Sequence, residues 1–468
     1  MPLPPLTRIV ACATTLALAA TGISVPCAQA QTNSILPAWP TARPNGPEDL
    51  PPKPKQKPMK MPDGTVVQIM GDVLGPWAAH VGIGAGDLGT MTPLGGDEFA
   101  MIFGDSFRGK KFGEGDWISP VGVVARMNNG QIEILRPLKG HRDAYGLINY
   151  YRKEGDNLTL IPSDVINING TLYMQGMWNR GIGNVLETQT WKSTDKGKTW
   201  KSIGRTPNYY LNGLGQLISW EKGPDGYIYA VMSGFQREHA AYLARFTEDQ
   251  IGDQESWELF NPNTGGWGTE AGAILFGDRV KAGEMNLRYI DNHWVFVMFN
   301  QATLAIEVRI SDTLPQSWND VPVATIAKNG YWELQQTPMN FSQPYGGYIV
   351  PGSTIANLDV VISQWNTNTD ERYMSTQFNV KGLDTFFGID PESMRPRDPN
   401  DIDVNVTPNP PQTDDMDAED NLMSSEGSSK TKAALITVGV LAGLGIITAV
   451  AWPTIRQYLP PQLQQLVG

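Results

Sequence analysis

The chain has 468 residues, 41% of them hydrophobic, enough for one large domain or two ordinary ones. Its 49 glycines, 35 prolines and 14 tryptophans suit a turn-rich all-β protein better than a helical one. A formal charge of −12 argues against nucleic acid or another polyanion as partner, because phosphate binding needs clustered Lys and Arg; a neutral sugar polymer stays compatible.

Residues 1–30 read as a secretory signal: Arg8 supplies the positive start, Ile9 to Ala20 the apolar core, and Ala28-Gln29-Ala30 a small-x-small cleavage site. Cys12 and Cys27 both fall inside it, so the mature chain is expected to carry no cysteine and no disulfide. Ser24-Val25-Pro26 is a poor fit for a lipoprotein cysteine at Cys27. Residues 31–62 are proline-rich and read as an extended linker. The folded unit is expected over 63–387. Residues 388–432, acidic and almost without large apolar side chains, read as a disordered stalk. Residues 433–452 form a run of twenty without a charge, long enough to cross a bilayer as one helix. Export places the main domain outside the membrane, and 453–468 becomes a short cytoplasmic tail. Lys430 and Lys432 on the outer flank oppose the positive-inside tendency, so the orientation rests on the signal segment.

Inside 63–387, short apolar runs bounded by Gly, Asn, Asp and Pro recur in five groups about sixty residues apart. The first holds GTVVQIM, the Asp87 strand, EFAMIFGDSF, VGVVARM and QIEILRP. The second holds DVINING, TLYMQGMW, NVLETQTWKS and TWKSIG, and the third GQLISWEK, GYIYAVMSG, AAYLARF and SWELF. The fourth holds EMNLRYI, HWVFVMF and AIEVRIS, and the fifth NGYWELQ, YGGYIV, LDVVISQW and RYMSTQFNV. No segment before residue 433 keeps a helical period for long. The pattern predicts an all-β five-bladed β-propeller, with a C-terminal transmembrane helix beyond it. A two-sheet sandwich of this length without a domain break would be unusually large. Closing the ring requires GTVVQIM to pair near the last group, since an open ring leaves long edges unpaired. Ser193 to Trp200 fits S-x-D-x-G-x-T-W, an Asp-box hairpin: Asp195 caps the turn amides, Gly197 takes the positive-φ position, and Trp200 packs beneath. It marks blade architecture, not catalysis.

Chemistry concentrates at 84–120. Asp87 lies in GAGDLG, and Asp105 follows eighteen positions on, at the end of EFAMIFGDSF. The turn-rich TMTPLGGDE between them predicts an antiparallel pair that returns both acids to one rim, beside Trp117 and Arg108. Two carboxyls at one rim are what glycosidic hydrolysis uses, one to donate a proton and one as nucleophile or base. Asp next to Gly is also common in turns for local reasons alone. Inner strands of a propeller line a channel, which makes Asp164 and Glu284 candidate pocket residues beside Asp87. Arg237 and His239 follow the third group's second strand and are candidates for sugar hydroxyls; surface positions suit them equally. Trp117, Trp178, Trp267 and Trp365 offer stacking faces, although a Trp in a β protein is more often core. The four histidines show no metal-ligand spacing, and there is no nucleophile elbow, Walker loop or dinucleotide fingerprint, so no metal and no cofactor is expected.

GAGDLG, FGDSF, WISPV, GYIYAVMSG with YLARF, GEMNLRY, QPYGGYIVP and VISQW together resemble a secreted actinobacterial family, over about residues 70–380. That family was long catalogued as a domain of unknown function, and members are now assigned as endo-D-arabinanases (glycoside hydrolase family 183). The resemblance implies a five-bladed propeller acting on the D-arabinan of arabinogalactan or lipoarabinomannan, with Asp87 and Asp105 as catalytic pair and Glu284 as a pocket residue. FGDSF has Ser where many relatives have Thr, and the membrane anchor is not part of the family pattern. The alternative from another class is an anchored propeller that binds envelope glycan or a protein without cleaving it.

Overall fold

Local chemistry fixes many of the hairpins. Asn129-Gly130, Asn169-Gly170 and Asp291-Asn292 all take positive φ, the two-residue turn whose twist matches the flanking strands. In the computed structural model, which describes residues 39–153 and 155–394, these hairpins assemble into five antiparallel sheets. All described residues belong to the first of two units, Met1–Asp398. From the inside outward, blade 1 holds Ala85–Gly95, Glu98–Phe107, Val121–Asn128 and Gln131–Pro137, with Trp117–Ile118 paired to its second strand. Blade 2 holds Leu158–Ile168, Thr171–Arg180, Val185–Ser193 and Lys201–Pro207. Blade 3 holds Leu217–Lys222, Ile228–Ser233, Ala241–Phe246 and Glu258–Asn261, extended by Gly266–Gly268, while Ala273–Leu275 pairs with its third strand. Blade 4 holds Ala282–Ile290, His293–Asn300, Ala305–Ser311 and Ala324–Lys328. Blade 5 holds Pro344–Ile349, Asn357–Trp365 and Tyr373–Lys381, and is completed from the other end of the chain by Val66–Asp72 and Met59–Lys60.

The expected five-bladed propeller is therefore the fold, and GTVVQIM closes it. Val66 pairs with Lys381 and Asp72 with Thr376, and Arg372 clamps Asp72 through two bonds of 2.7 and 2.8 Å. Two assignments change. Asn329–Gln335 is a loop, because the Asn340 side chain bonds Tyr331 and Gln335 backbone groups that a ladder would otherwise satisfy. The outermost strand of blade 4 is instead Ala324–Lys328. The Asp-box forms as expected on the outer hairpin of blade 2. Asp195 accepts from the Thr199 amide and hydroxyl, and Trp200 Nε1 donates to the Gly197 carbonyl.

Apolar side chains fill the layers between neighbouring blades. Leu160, Val165 and Met174 pack with Ala100 and Ile102 between blades 1 and 2, and Trp220, Phe246 and Trp257 with Ile166 and Ile168 between blades 2 and 3. Each buried Leu, Val, Ile, Met or Phe among them contributes roughly 1.5–3 kcal/mol. The proline-rich lead is packed rather than free from residue 39 onward. Trp77 Nε1 donates to the Pro51 carbonyl, and Lys53 Nζ to the Ile132 carbonyl. At the other end, Leu383–Phe387 is a single short helix, and Ile389 and Met394 rest on the core. The expected signal segment, the stalk from residue 395, the anchor at 433–452 and the tail lie outside the described residues. Among the described residues no helix is long and apolar enough to cross a membrane.

On the axis, one carboxylate ties the inner strands together. Asp164 of blade 2 accepts from Thr90 Oγ1 of blade 1 at 2.5 Å and from Ser219 Oγ of blade 3 at 2.6 Å. It also accepts two bonds of 2.9 Å from Arg288 of blade 4. Asn286 of blade 4 accepts from the Ile349 amide of blade 5 at 3.0 Å, so the network reaches all five blades.

Candidate active site

The ladder between the first two strands of blade 1 breaks at one place. Gly86 pairs with Ser106 and Leu88 with Phe103, which leaves Asp87 on one strand and Gly104 and Asp105 on the other outside the register. Leu88 and Gly89 take φ of 62° and 121°, and the bulge so formed re-aims the side chain at 87. Ser363 Oγ accepts from the Leu88 amide and Ser375 Oγ donates to its carbonyl, so blade 5 holds the bulge in place. Gly104 is required there: a Cβ at that position would lie 2.6 Å from Asp87 Oδ1 and 2.9 Å from Leu88 Cδ1. The two acids thus return to one rim, as the two-strand geometry anticipates.

Their surroundings differ. Asp87 Oδ2 accepts from the Tyr345 hydroxyl at 2.9 Å, while Oδ1 is buried without a hydrogen-bond partner. Burial, and next the charge of Asp105, push the Asp87 carboxyl up to about 8, with Glu284 adding to the push; the Tyr373 and Tyr345 hydroxyls pull the other way. Asp105 Oδ1 accepts from Trp117 Nε1 at 3.0 Å and from Thr159 Oγ1 at 2.6 Å. A carboxyl that keeps its proton at neutral pH beside a second carboxyl anchored by two donors can transfer a proton to an oxygen bound between them.

Glu284, at the start of the inner strand of blade 4, joins this pocket. It is buried, its Oε1 accepts from Arg237 at 2.5 Å, and its Oε2 has no partner. Arg237 also lies over the Tyr345 and Phe299 rings, 5.3 and 5.1 Å from their centroids. Trp365 stacks on Phe112 at 4.6 Å and meets Tyr373 edge-on at 5.7 Å, so it backs the pocket wall. Asp164 is elsewhere. It is fully buried on the axis with both oxygens occupied, because the shift in register between Pro162 and Asp164 turns it toward Arg288. His239 is exposed, its ring against Gly234, and Arg108 bonds the carbonyls of Gly82 and Ala144 rather than either acid. Trp178 donates to Gln189, and Trp267 packs on Phe260 and Tyr229. Sequence reasoning missed Tyr345, Tyr373 and Thr159. For Tyr345 a signal existed in the following Gly346-Gly347 pair, both at positive φ, at the start of an apolar run. Among the described residues no group of His, Cys, Asp and Glu is arranged to hold a metal ion.

Fold and site together define a five-bladed propeller in which Asp87, Asp105 and Glu284 gather beside Tyr345 and Tyr373 on the face where the inner strands begin. The chain belongs to the family described as Domain of unknown function (DUF4185), whose profile matches residues 76–379. A Mycolicibacterium smegmatis relative, described as an uncharacterized 35.9 kDa protein in the asd 3′ region, is 28% identical over 312 residues, 61% of this chain and 88% of the relative. Among solved structures, a putative hydrolase from Bacteroides ovatus aligns with a TM-score of 0.55 at 14% identity, over 71% of this chain and 96% of that one. An exo-β-1,3-galactanase from Phanerochaete chrysosporium aligns with a TM-score of 0.41 at 8% identity, over 63% of each chain. At 14% identity the likeness to the Bacteroides ovatus structure is one of fold alone.

Proposed function

We propose that this protein is a glycoside hydrolase that cleaves the D-arabinan of cell-envelope arabinogalactan or lipoarabinomannan within the chain. In this reading it is exported by residues 1–30 and held at the membrane by residues 433–452. The observation that carries the hydrolase reading is the pair of acids left out of one ladder, one with a carboxyl pushed up to about 8. Asp87 gives its proton to the glycosidic oxygen as that bond breaks. Asp105, with Oδ1 fixed by Trp117 and Thr159, acts through Oδ2 on the anomeric carbon or on a water, and one water is consumed per bond cut. Glu284 Oε2, buried without a partner, accepts a sugar hydroxyl, and Arg237 holds that carboxylate in position. Trp117 and Trp365 shape the pocket wall. Asp164, with no oxygen left to offer, acts on the ring of blades rather than on substrate. The arabinan specificity rests on the motif resemblance over residues 70–380.

The test is incubation of the purified protein with D-arabinan, with new reducing ends and oligosaccharide products measured. Products that disappear in Asp87→Asn and Asp105→Asn support the reading. Intact polymer after incubation with folded protein overturns it and leaves a propeller that only binds.

A further inference from the structure

The exposed apolar side chains are not spread evenly over this propeller. In a blade of four antiparallel strands the chain enters the inner strand and leaves the outer one on the same face. That face carries Asp87 and Glu284 near the starts of their inner strands. It also carries every connection between blades and every turn between second and third strands. Among the described residues, all the exposed large apolar side chains except Val323 lie in those segments, among them Tyr145, Tyr151, Ile182, Tyr209, Phe276 and Tyr331. The opposite face is almost free of them.

Two of these tyrosines lie in segments that lead to the acids. Tyr151 is 82% exposed, and its neighbour Arg152 lies over the Trp117 ring, 4.2 Å from the centroid. That same indole donates to Asp105. Tyr331, 71% exposed, lies in the connection from blade 4 that runs into Pro344–Ile349, whose Tyr345 donates to Asp87. One tyrosine stands at the junction of blades 1 and 2 and the other at the junction of blades 4 and 5, on opposite sides of the ring.

We infer that Tyr151 and Tyr331 are stacking platforms for sugar residues beyond the catalytic pocket, so that one polysaccharide chain crosses the face over Asp87 and Asp105. The inference rests on the glycosidase reading and adds to it where the polymer is held. The occupant is a carbohydrate chain rather than a protein because Tyr151 and Tyr331 stand at separate junctions of the ring, on the face that carries both acids, and not together in one apolar patch. A protein partner selects a contiguous apolar patch. An isolated tyrosine ring with a wet hydroxyl edge suits the apolar face of one sugar.

The test uses the full-length protein with Asp87→Asn for binding and the active protein for kinetics, each with Tyr151→Ala, Tyr331→Ala or both. The probes are D-arabinan and an arabino-oligosaccharide too short to reach both rings. Each single substitution is expected to weaken binding of D-arabinan by about fivefold to tenfold. The ratio of kcat/KM on polymer to kcat/KM on the short substrate should fall by a similar factor. Polymer binding that survives the double substitution overturns the inference, whatever the activity. Equal loss on long and short substrates also overturns it, because the tyrosines then serve the pocket itself. If the active protein cuts neither substrate, the glycosidase reading falls, while the binding measurement still decides whether these tyrosines hold polymer.

Discussion

Replacing Asp87 by Asn separates what this residue costs the fold from what it gives to chemistry. An ordinary carboxyl near 3.8 has lost its proton by pH 7, whereas the Asp87 carboxyl, pushed up to about 8, still holds it. Holding a proton across the roughly four pH units from 3.8 to about 8 costs up to about 6 kcal/mol, at about 1.4 kcal/mol per unit. Asp87 as a whole is only partly buried, and solvent screening reduces the figure to about 2 kcal/mol. A raised folded-state pKa contributes stability that is complete below the unfolded value and lost as pH rises through the folded one. The wild type should therefore weaken relative to Asp87→Asn from about pH 4 to about pH 8, with no further change above. Urea unfolding of both proteins between pH 3.5 and 9 measures this: the variant should match the wild type at the acid end and exceed it by about 2 kcal/mol at pH 8. The same variant should lose a hundredfold or more in cleavage of D-arabinan, since an amide cannot donate the proton. A stability difference that stays flat across this range would refute the buried, protonated carboxyl, and with it the assignment of Asp87 as acid.

Wild-type cleavage should decline as pH rises through about 8, and Tyr345→Phe should move that decline to higher pH, because it removes a donor that favours the ionised carboxyl; a pH–rate profile that does not shift argues against the contact. Gly104→Ala places a methyl against Asp87 Oδ1 and should cut kcat at least tenfold while far-UV circular dichroism stays unchanged; near-normal turnover would show that the bulge tolerates the Cβ. Arg288→Met leaves Asp164 charged and unpaired on the axis and should cost about 3–5 kcal/mol, read as a lower thermal midpoint. A midpoint within a degree of wild type would show that the axial pair holds little.

The strand groups were legible because blades repeat a local pattern: a Gly- or Asn-bounded apolar run every few residues, and an Asp-box whose bonds are all within eight residues. Asp87 and Asp105 were legible for the same reason, since one hairpin carries both. Residues that other blades contribute left weaker traces. Thr159 and Tyr373 meet the two acids only because strands of neighbouring blades, distant in sequence, converge, and no spacing encodes that. Asp164 shows the opposite error. It opens an apolar run like a pocket acid, yet a one-residue slip in its ladder turns it to the axis, where Arg288 from another blade claims it. The loop at Asn329–Gln335 misled for a similar reason, because its backbone partners come from the Asn340 side chain and not from a strand.

The closure of blade 5 by Val66–Asp72 sets an order of events in making the protein. These residues leave the ribosome before any blade, yet their ladder partner ends at Lys381, after every other strand of the ring. Until then a hydrophobic strand and its future neighbour both present open edges, the arrangement most exposed to pairing with another chain. Folding of the ring is thereby tied to completion of the whole domain, since a chain cut short before Tyr373–Lys381 has nothing for its first strand to join. A truncated product would stay open and invite proteolysis, so the closing strand acts as a check that only full-length domains pass.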